Sequence, residues 1–115
     1  DIRIFQLSDT IGVSQPASIS YLFKNLIPRY PELEIGAHLH TTPSTWEEKV
    51  HAAAEAGCVR YDGAIRGFGG CPMAKDDLTG NMATENLFTY FGFKRAGVDR
   101  EAFLTAMRGS GKVFV

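Results

Sequence analysis

Two histidines lie two residues apart in His38-Leu39-His40. On a strand, residues i and i+2 share a face, so both imidazoles point the same way. A pair of neutral imidazoles suits a divalent metal. The competing reading is two histidines hydrogen-bonded into a strand end, the commoner fate of an isolated His-x-His. Asn81 follows Gly80 in a loop. Its amide oxygen is a hard, neutral donor suited to Mg²⁺ or Mn²⁺, or else it is a turn residue. Cys71 sits in Gly67-Phe68-Gly69-Gly70-Cys71-Pro72. Small residues let backbone approach a ligand closely, and a thiol there is a candidate nucleophile or acid. The alternative is an inert, partly buried thiol, which is the preferred reading for Cys58. Asp9 is a candidate base, an orienting carboxylate, or a cap. Arg66 is a candidate anion binder or a partner for Asp62. His51 falls mid-helix and reads as surface.

These residues need elements to position them. Ile2 to Leu7 is β-branched and aromatic and reads as a strand ending at Ser8-Asp9-Thr10. Pro16 suits a first helical turn, and Ile19, Leu22, Phe23 and Leu26 recur at helical spacing. Pro28 and Pro31 are expected to stop that helix. Leu33 to His40 is the second strand candidate. A second helix follows, with Ser44 and Glu47 as a capping box and Trp46, Val50, Ala53 and Ala54 inward. Gly57 suits a left-handed stop. Cys58 to Ile65 is the third strand candidate. A third helix starts at Ala83 or Thr84, buries Leu87, Phe88 and Phe91, and closes at Gly97. Asp99 caps a last helix carrying Phe103, Leu104 and Met107. Ser110 to Val115 is left unassigned.

The order is strand, helix, strand, helix, strand, loop, helix, helix. Its spacing is that of βαβ units with parallel strands and right-handed crossovers. The polar residues gather where strand candidates end: Asp9 after the first, His38 and His40 after the second, Arg66 to Cys71 after the third. Ligands of parallel α/β folds bind outside the carboxyl ends of strands, so this shared rim is the strongest signal in the chain.

Composition bounds the rest. With 12 basic and 13 acidic residues the formal net charge is −1, and no basic stripe favours nucleic acid. Hydrophobic residues make up 44 %, a globular rather than disordered balance, and 115 residues fit one domain, 1–115. No apolar run approaches the ~20 residues of a membrane span. Two cysteines are too few for a disulfide framework and fit a reducing compartment. Asp1-Ile2-Arg3-Ile4 shows no charged leader or targeting segment. The glycines at 67, 69 and 70 do not match a dinucleotide fingerprint, and Gly109-Ser110-Gly111 lacks a P-loop lysine-hydroxyl pair.

Four segments, in order, carry a resemblance: Leu7-Ser8-Asp9-Thr10-Ile11-Gly12, Ala37-His38-Leu39-His40, Gly67-Phe68-Gly69-Gly70-Cys71-Pro72, and Gly80-Asn81-Met82-Ala83-Thr84-Glu85. From Ile4 to about Met107 the chain resembles the C-terminal part of the 3-hydroxy-3-methylglutaryl-CoA lyases, members of the DRE-TIM metallolyases. The cysteine loop points to this branch rather than to isopropylmalate and homocitrate synthases. The resemblance implies an α/β fold that is the C-terminal part of a (β/α)₈ barrel, about three βα units plus terminal helices, out of ~250 residues. It implies His38, His40 and Asn81 as metal ligands for Mg²⁺ or Mn²⁺. It implies Cys71, His38 and Asp9 as catalytic residues. The implied reaction cleaves 3-hydroxy-3-methylglutaryl-CoA to acetoacetate and acetyl-CoA, in a bacterial cytoplasm or a mitochondrial matrix.

The chain departs from the family at several points. Thr41 stands where an Asp or Asn usually follows the second histidine, and Met73 replaces an aromatic. Arg66-Gly67 replaces Ala-Gly, and the loop carrying Lys75-Asp76-Asp77-Leu78 is longer. The family's Asp ligand, Arg and Glu belong to the N-terminal half of the barrel, and nothing here matches them. The expected partners are an acyl-CoA substrate and either the other barrel half or further copies of the chain, with activity absent from this segment alone. Two alternatives stand beside this reading: a non-catalytic, self-associating partial barrel, and a related aldolase or lyase acting on another hydroxy-acyl substrate.

Overall fold

The computed structural model describes residues 1–70 and 79–113. Cys71, Met73 and Lys75 to Leu78 lie outside the described residues. The fold is mixed α/β. Strand β1 (Ile4–Ser8) pairs in parallel with β2 (Glu34–His38), Ile4 opposite Glu34 through Ser8 opposite His38. Helix α1 (Pro16–Arg29) makes the crossover. Its N-terminus is closed by the Ser18 hydroxyl, which accepts from the Gln15 N–H at 3.1 Å. Ile19 and Phe23 are buried, whereas Leu22 is 45 % exposed. Pro28 lies inside the helix rather than ending it. Its missing N–H costs one bond, and the bonding resumes beyond it with Tyr30 N–H donating to the Leu26 carbonyl at 3.1 Å.

The second strand candidate divides. After β2 the chain turns at Leu39 into a short β3 (His40–Thr41), antiparallel to β4 (Gly80–Asn81), with His40 opposite Asn81. Helix α2 (Trp46–Glu55) buries Val50 and Ala53. The expected Ser44–Glu47 capping box is replaced by a turn at Thr42, whose N–H donates to Thr45 Oγ1 at 2.9 Å. Gly57 ends this segment at φ +99°, the left-handed conformation expected of it.

The third strand candidate, Cys58 to Ile65, forms no continuous strand. It splits its pairing between two neighbours. Ala37 N–H donates to the Arg60 carbonyl at 2.9 Å and Asp62 N–H to the Ala37 carbonyl at 3.0 Å. Two residues on, Ala64 N–H donates to the Met82 carbonyl at 2.9 Å. Each neighbour supplies a single parallel bridge, Ala37 with Tyr61 and Ala64 with Ala83.

The third helix candidate also breaks. Helix α3 (Thr84–Phe91) stops at Gly92, and α4 (Phe93–Ala96) follows to Gly97. Asp99 Oδ1 accepts from the Ala102 N–H at 2.7 Å, so Asp99 caps α5 (Arg100–Val113) as expected. That helix runs through Gly109 and Gly111 into the tail from Ser110 that the sequence leaves unassigned. Tertiary bonds offset the ~1 kcal/mol that each glycine costs a helix. Arg66 Nε donates to Ser110 Oγ and Arg66 Nη2 to the Met107 carbonyl, both at 3.0 Å. Phe103 packs edge-on to Phe88, ring centres 4.7 Å apart.

The main core lies between the sheet and helices α1 to α3. Phe23, Ile35, Ala37, Val50, Ala53 and Met82 are each under a tenth exposed. Among the described residues no helix is long and apolar enough to cross a membrane.

Candidate functional site

His38 closes β2 and His40 opens β3, and their rings meet edge to face with centres 5.2 Å apart. Each ring is held through Nδ1. His38 Nδ1 lies 3.0 Å from Asp62 Oδ2, and His40 Nδ1 lies 2.7 Å from the Asp9 carbonyl oxygen. Carboxylates and carbonyls only accept, so in neutral rings both Nδ1 atoms carry the proton. The lone pair then sits on Nε2 of each ring, the form a metal-binding histidine takes when its other nitrogen is anchored.

Asn81 joins them across the β3–β4 pair as the register partner of His40. Directly opposed residues on antiparallel strands share a face. Asn81 Nδ2 donates to the Phe68 carbonyl at 2.8 Å, so the atom left to accept is Oδ1. The candidate donors are therefore two imidazoles and one amide oxygen. Among the described residues no group of three His, Cys, Asp or Glu side chains forms a metal cage. The chemistry fits part of a coordination sphere.

Asp9 sits beneath this rim. Its carboxylate accepts from the Ser14 N–H at 3.1 Å, from the Ser14 hydroxyl, and from Lys49 Nζ at 2.8 Å. Burial pushes the Asp9 carboxyl up, but the hydrogen bonds from Lys49 and Ser14 outweigh it and hold it below 3.8. Lys49 is itself buried and completes its bonding with the His40 carbonyl at 3.0 Å and the Gly12 carbonyl at 3.2 Å. One ammonium thus ties the loop after β1, the Asp9 side chain and the His40 backbone together. The Asp9 carbonyl in turn anchors the His40 ring.

Several residues differ from their expected roles. Arg66 does not pair with Asp62; its guanidinium docks α5, and Asp62 instead accepts from Gln6 and His38. Cys58 is buried, 3 % exposed, and burial pushes its thiol up, as an inert core thiol requires. His51 is exposed on α2, with Nδ1 2.8 Å from the Tyr90 hydroxyl. Cys71 lies outside the described residues. Sequence reasoning missed Lys49 and the Gln6–Asp62 pair. A signal for Lys49 was present: Trp46, Lys49, Val50 and Ala53 fall on one helical face, so a lysine occupies the apolar stripe.

A cavity of about 310 Å³ opens beside Asn81, lined by Thr41, Trp46, Arg66, Gly67 and Glu85 among others. A larger, more apolar cavity of about 350 Å³ is lined by Cys58, Tyr61, Leu87 and Phe91 and holds none of the candidate ligands. Chemistry, rather than size, therefore selects the rim.

Comparison with known proteins identifies the family. The HMGL-like family model matches residues 1–109. The (R)-citramalyl-CoA lyase of Chloroflexus aurantiacus is 33 % identical over 102 residues, covering 87 % of this chain and 32 % of that protein. The hydroxymethylglutaryl-CoA lyase YngG of Bacillus subtilis is 37 % identical over 86 residues, 75 % of this chain and 28 % of that protein. The crystal structure of a B. subtilis HMG-CoA lyase superposes with a TM-score of 0.73 at 30 % identity, covering 93 % of this chain and 36 % of that one. An Acinetobacter baumannii HMG-CoA lyase in complex with coenzyme A and 3-methylmalate gives 0.71 at 30 % identity, covering 90 % and 34 %. The chain spans about a third of the length of these relatives. With the family match running through the loop after β1, the paired histidines and Asn81, the chain belongs to the HMGL-like family and is an HMG-CoA lyase-like DRE-TIM protein.

Proposed function

We propose that this chain is the C-terminal, metal-holding portion of a (β/α)₈ lyase that cleaves 3-hydroxy-3-methylglutaryl-CoA to acetoacetate and acetyl-CoA. The observation that carries the reading is the pair of anchored Nδ1 atoms, which leaves both Nε2 lone pairs for a ligand beside Asn81. His38, His40 and Asn81 would hold Mg²⁺ or Mn²⁺. When bound, the cation supplies Lewis acidity and a template for the substrate oxygens.

The reaction needs a base for the C3 hydroxyl proton. The C2–C3 bond then breaks, C3 becomes the ketone of acetoacetate, and the acetyl-CoA enolate takes up a proton at carbon. Cys71 is the proposed group for these proton steps, by its match to the family pattern; His38, with Nδ1–H given to Asp62 and Nε2 to the cation, keeps no lone pair for a base and serves as ligand. Asp9 enters this reading as an anchor, since its carboxylate is committed to Lys49 and Ser14 while its carbonyl holds His40.

The substrate has a second reading, favoured by the citramalyl-CoA lyase relative, which covers more of this chain than the B. subtilis sequence does. We propose further that the remaining part of the barrel supplies the acidic ligand and the other catalytic groups, so the 115 residues alone turn nothing over. Among the described residues β1 pairs only with β2; Ile4 and Phe5 are exposed on it and Ile2 just before it. Partner strands seek such an edge.

The test is Mn²⁺ titration of the chain by electron paramagnetic resonance, alongside acetyl-CoA release from both acyl-CoA substrates. Weak Mn²⁺ binding lost in His40→Ala, with no turnover, is expected. Wild-type chain that binds no Mn²⁺ removes the metal reading, and turnover by this chain alone removes the claim that other strands are essential.

A further inference from the structure

Gln6 and Gly36 are register partners on β1 and β2, and His38 follows two residues later on the same face. Asp62 lies on the next segment, one residue past the Ala37–Tyr61 bridge. Gln6 reaches across β2 to this aspartate, its Nε2 donating to Oδ1. Only glycine at position 36 allows the reach: a Cβ there would stand 1.8 Å from Gln6 Oε1 and 2.9 Å from the Arg60 carbonyl oxygen. The second carboxylate oxygen, Oδ2, faces His38 Nδ1 at 3.0 Å.

A carboxylate accepts from both neighbours, so the Gln6 amide has one orientation and His38 one neutral tautomer. The cost is visible on Gln6. Its Oε1 is buried and has no hydrogen-bond partner among the described residues. An apolar side chain at position 6 would avoid that orphaned acceptor. Holding Asp62 is what the amide does in exchange.

We propose that Gln6 and Asp62 are positioning residues for His38, fixing its ring with the proton on Nδ1 and the lone pair on Nε2. His40 needs no such device, because a main-chain oxygen anchors it. The consequence for metal binding rests on the reading of His38 as a ligand, whereas the ring tautomer does not.

The test is a long-range ¹H–¹⁵N correlation spectrum of the histidine rings in the metal-free chain, at about pH 8, above the ~6.5 of an unperturbed imidazole. His38 and His40 are both expected with the proton on Nδ1. In Asp62→Ala, His38 shifts toward the Nε2-protonated form while His40 keeps its pattern and reports an intact fold. Gln6→Met shifts His38 the same way by less. Mn²⁺ dissociation constants rise about ten- to a hundred-fold in Asp62→Ala. The proposal is overturned if wild-type His38 carries its proton on Nε2, or if His38 is unchanged in Asp62→Ala with His40 intact. If Asp62→Ala loses the His40 pattern, Gln6→Met decides, and an unchanged His38 there overturns the role of Gln6. A wild-type chain with the expected tautomers that binds no Mn²⁺ leaves the positioning standing and removes the metal reading instead.

Discussion

Lys49 Nζ lies 2.8 Å from Asp9 Oδ2, and the two side chains are 4 % and 5 % exposed. Both charges are out of water, and each is compensated by the other and by further hydrogen bonds. A buried pair of this kind gives little net stability against an apolar replacement, but breaking one side strands the other charge.

Lys49→Met is accordingly expected to destabilise the chain by about 3–5 kcal/mol, because Asp9 keeps its burial and loses its cation. Asp9→Asn alone leaves Lys49 short of a counter-charge and also costs stability. The double variant should cost less than the sum of the singles by roughly 1 kcal/mol or more. Urea unfolding of all four proteins measures this cycle. Additive losses would show that the two groups are not coupled.

The same pair sets an acid limit. The folded Asp9 carboxyl titrates below 3.8, its ordinary unfolded value, so between the two the unfolded chain binds more protons. The Asp9 contribution is therefore complete above 3.8 and disappears as pH falls through the lower folded value. Urea midpoints measured from about pH 5 down to about pH 2 should drop, with a smaller drop in Asp9→Asn. Identical slopes in the two proteins would assign the acid sensitivity to other carboxylates.

At the alkaline end the sign reverses. Burial raises the Cys58 thiol above 9.0, so the folded state holds a proton that the unfolded state releases there. Stability is complete below 9.0 and falls as pH rises through the higher folded value. Tyr61, also raised by burial and donating its hydroxyl to the Cys58 carbonyl at 3.0 Å, adds to the loss above its ordinary 10.0. In a Cys71→Ser variant the remaining thiol should resist a disulfide reagent at neutral pH and react only as urea unfolds the chain. Rapid labelling of the native variant would contradict a core position for Cys58.

By itself the sequence determined the parts whose signals are local. Apolar spacing located α1 and α2, Asp99 announced the start of α5, and the His-x-His spacing kept His38 and His40 together, although the chain turns at Leu39 and divides them between β2 and β3. The motifs that run from Asp9 to Glu85 were enough to name the family. What the tertiary structure decided depends on contacts far apart in the chain. Cys58 to Ile65 reads as one strand because its residues favour extended backbone, but its partners lie on two separate segments, and hydrogen bonding divides it. Lys49 looks like an ordinary helical lysine until Asp9, 40 positions earlier, supplies the carboxylate that lets it be buried. Asp62 sits 24 residues from His38, and Gln6 sits 56 residues from Asp62. Residue type and spacing therefore marked the candidate ligand-binding groups. The groups that fix their protons and orientation emerge only when separate segments fold against one another, because a buried charge or a ring tautomer is set by its neighbours in space.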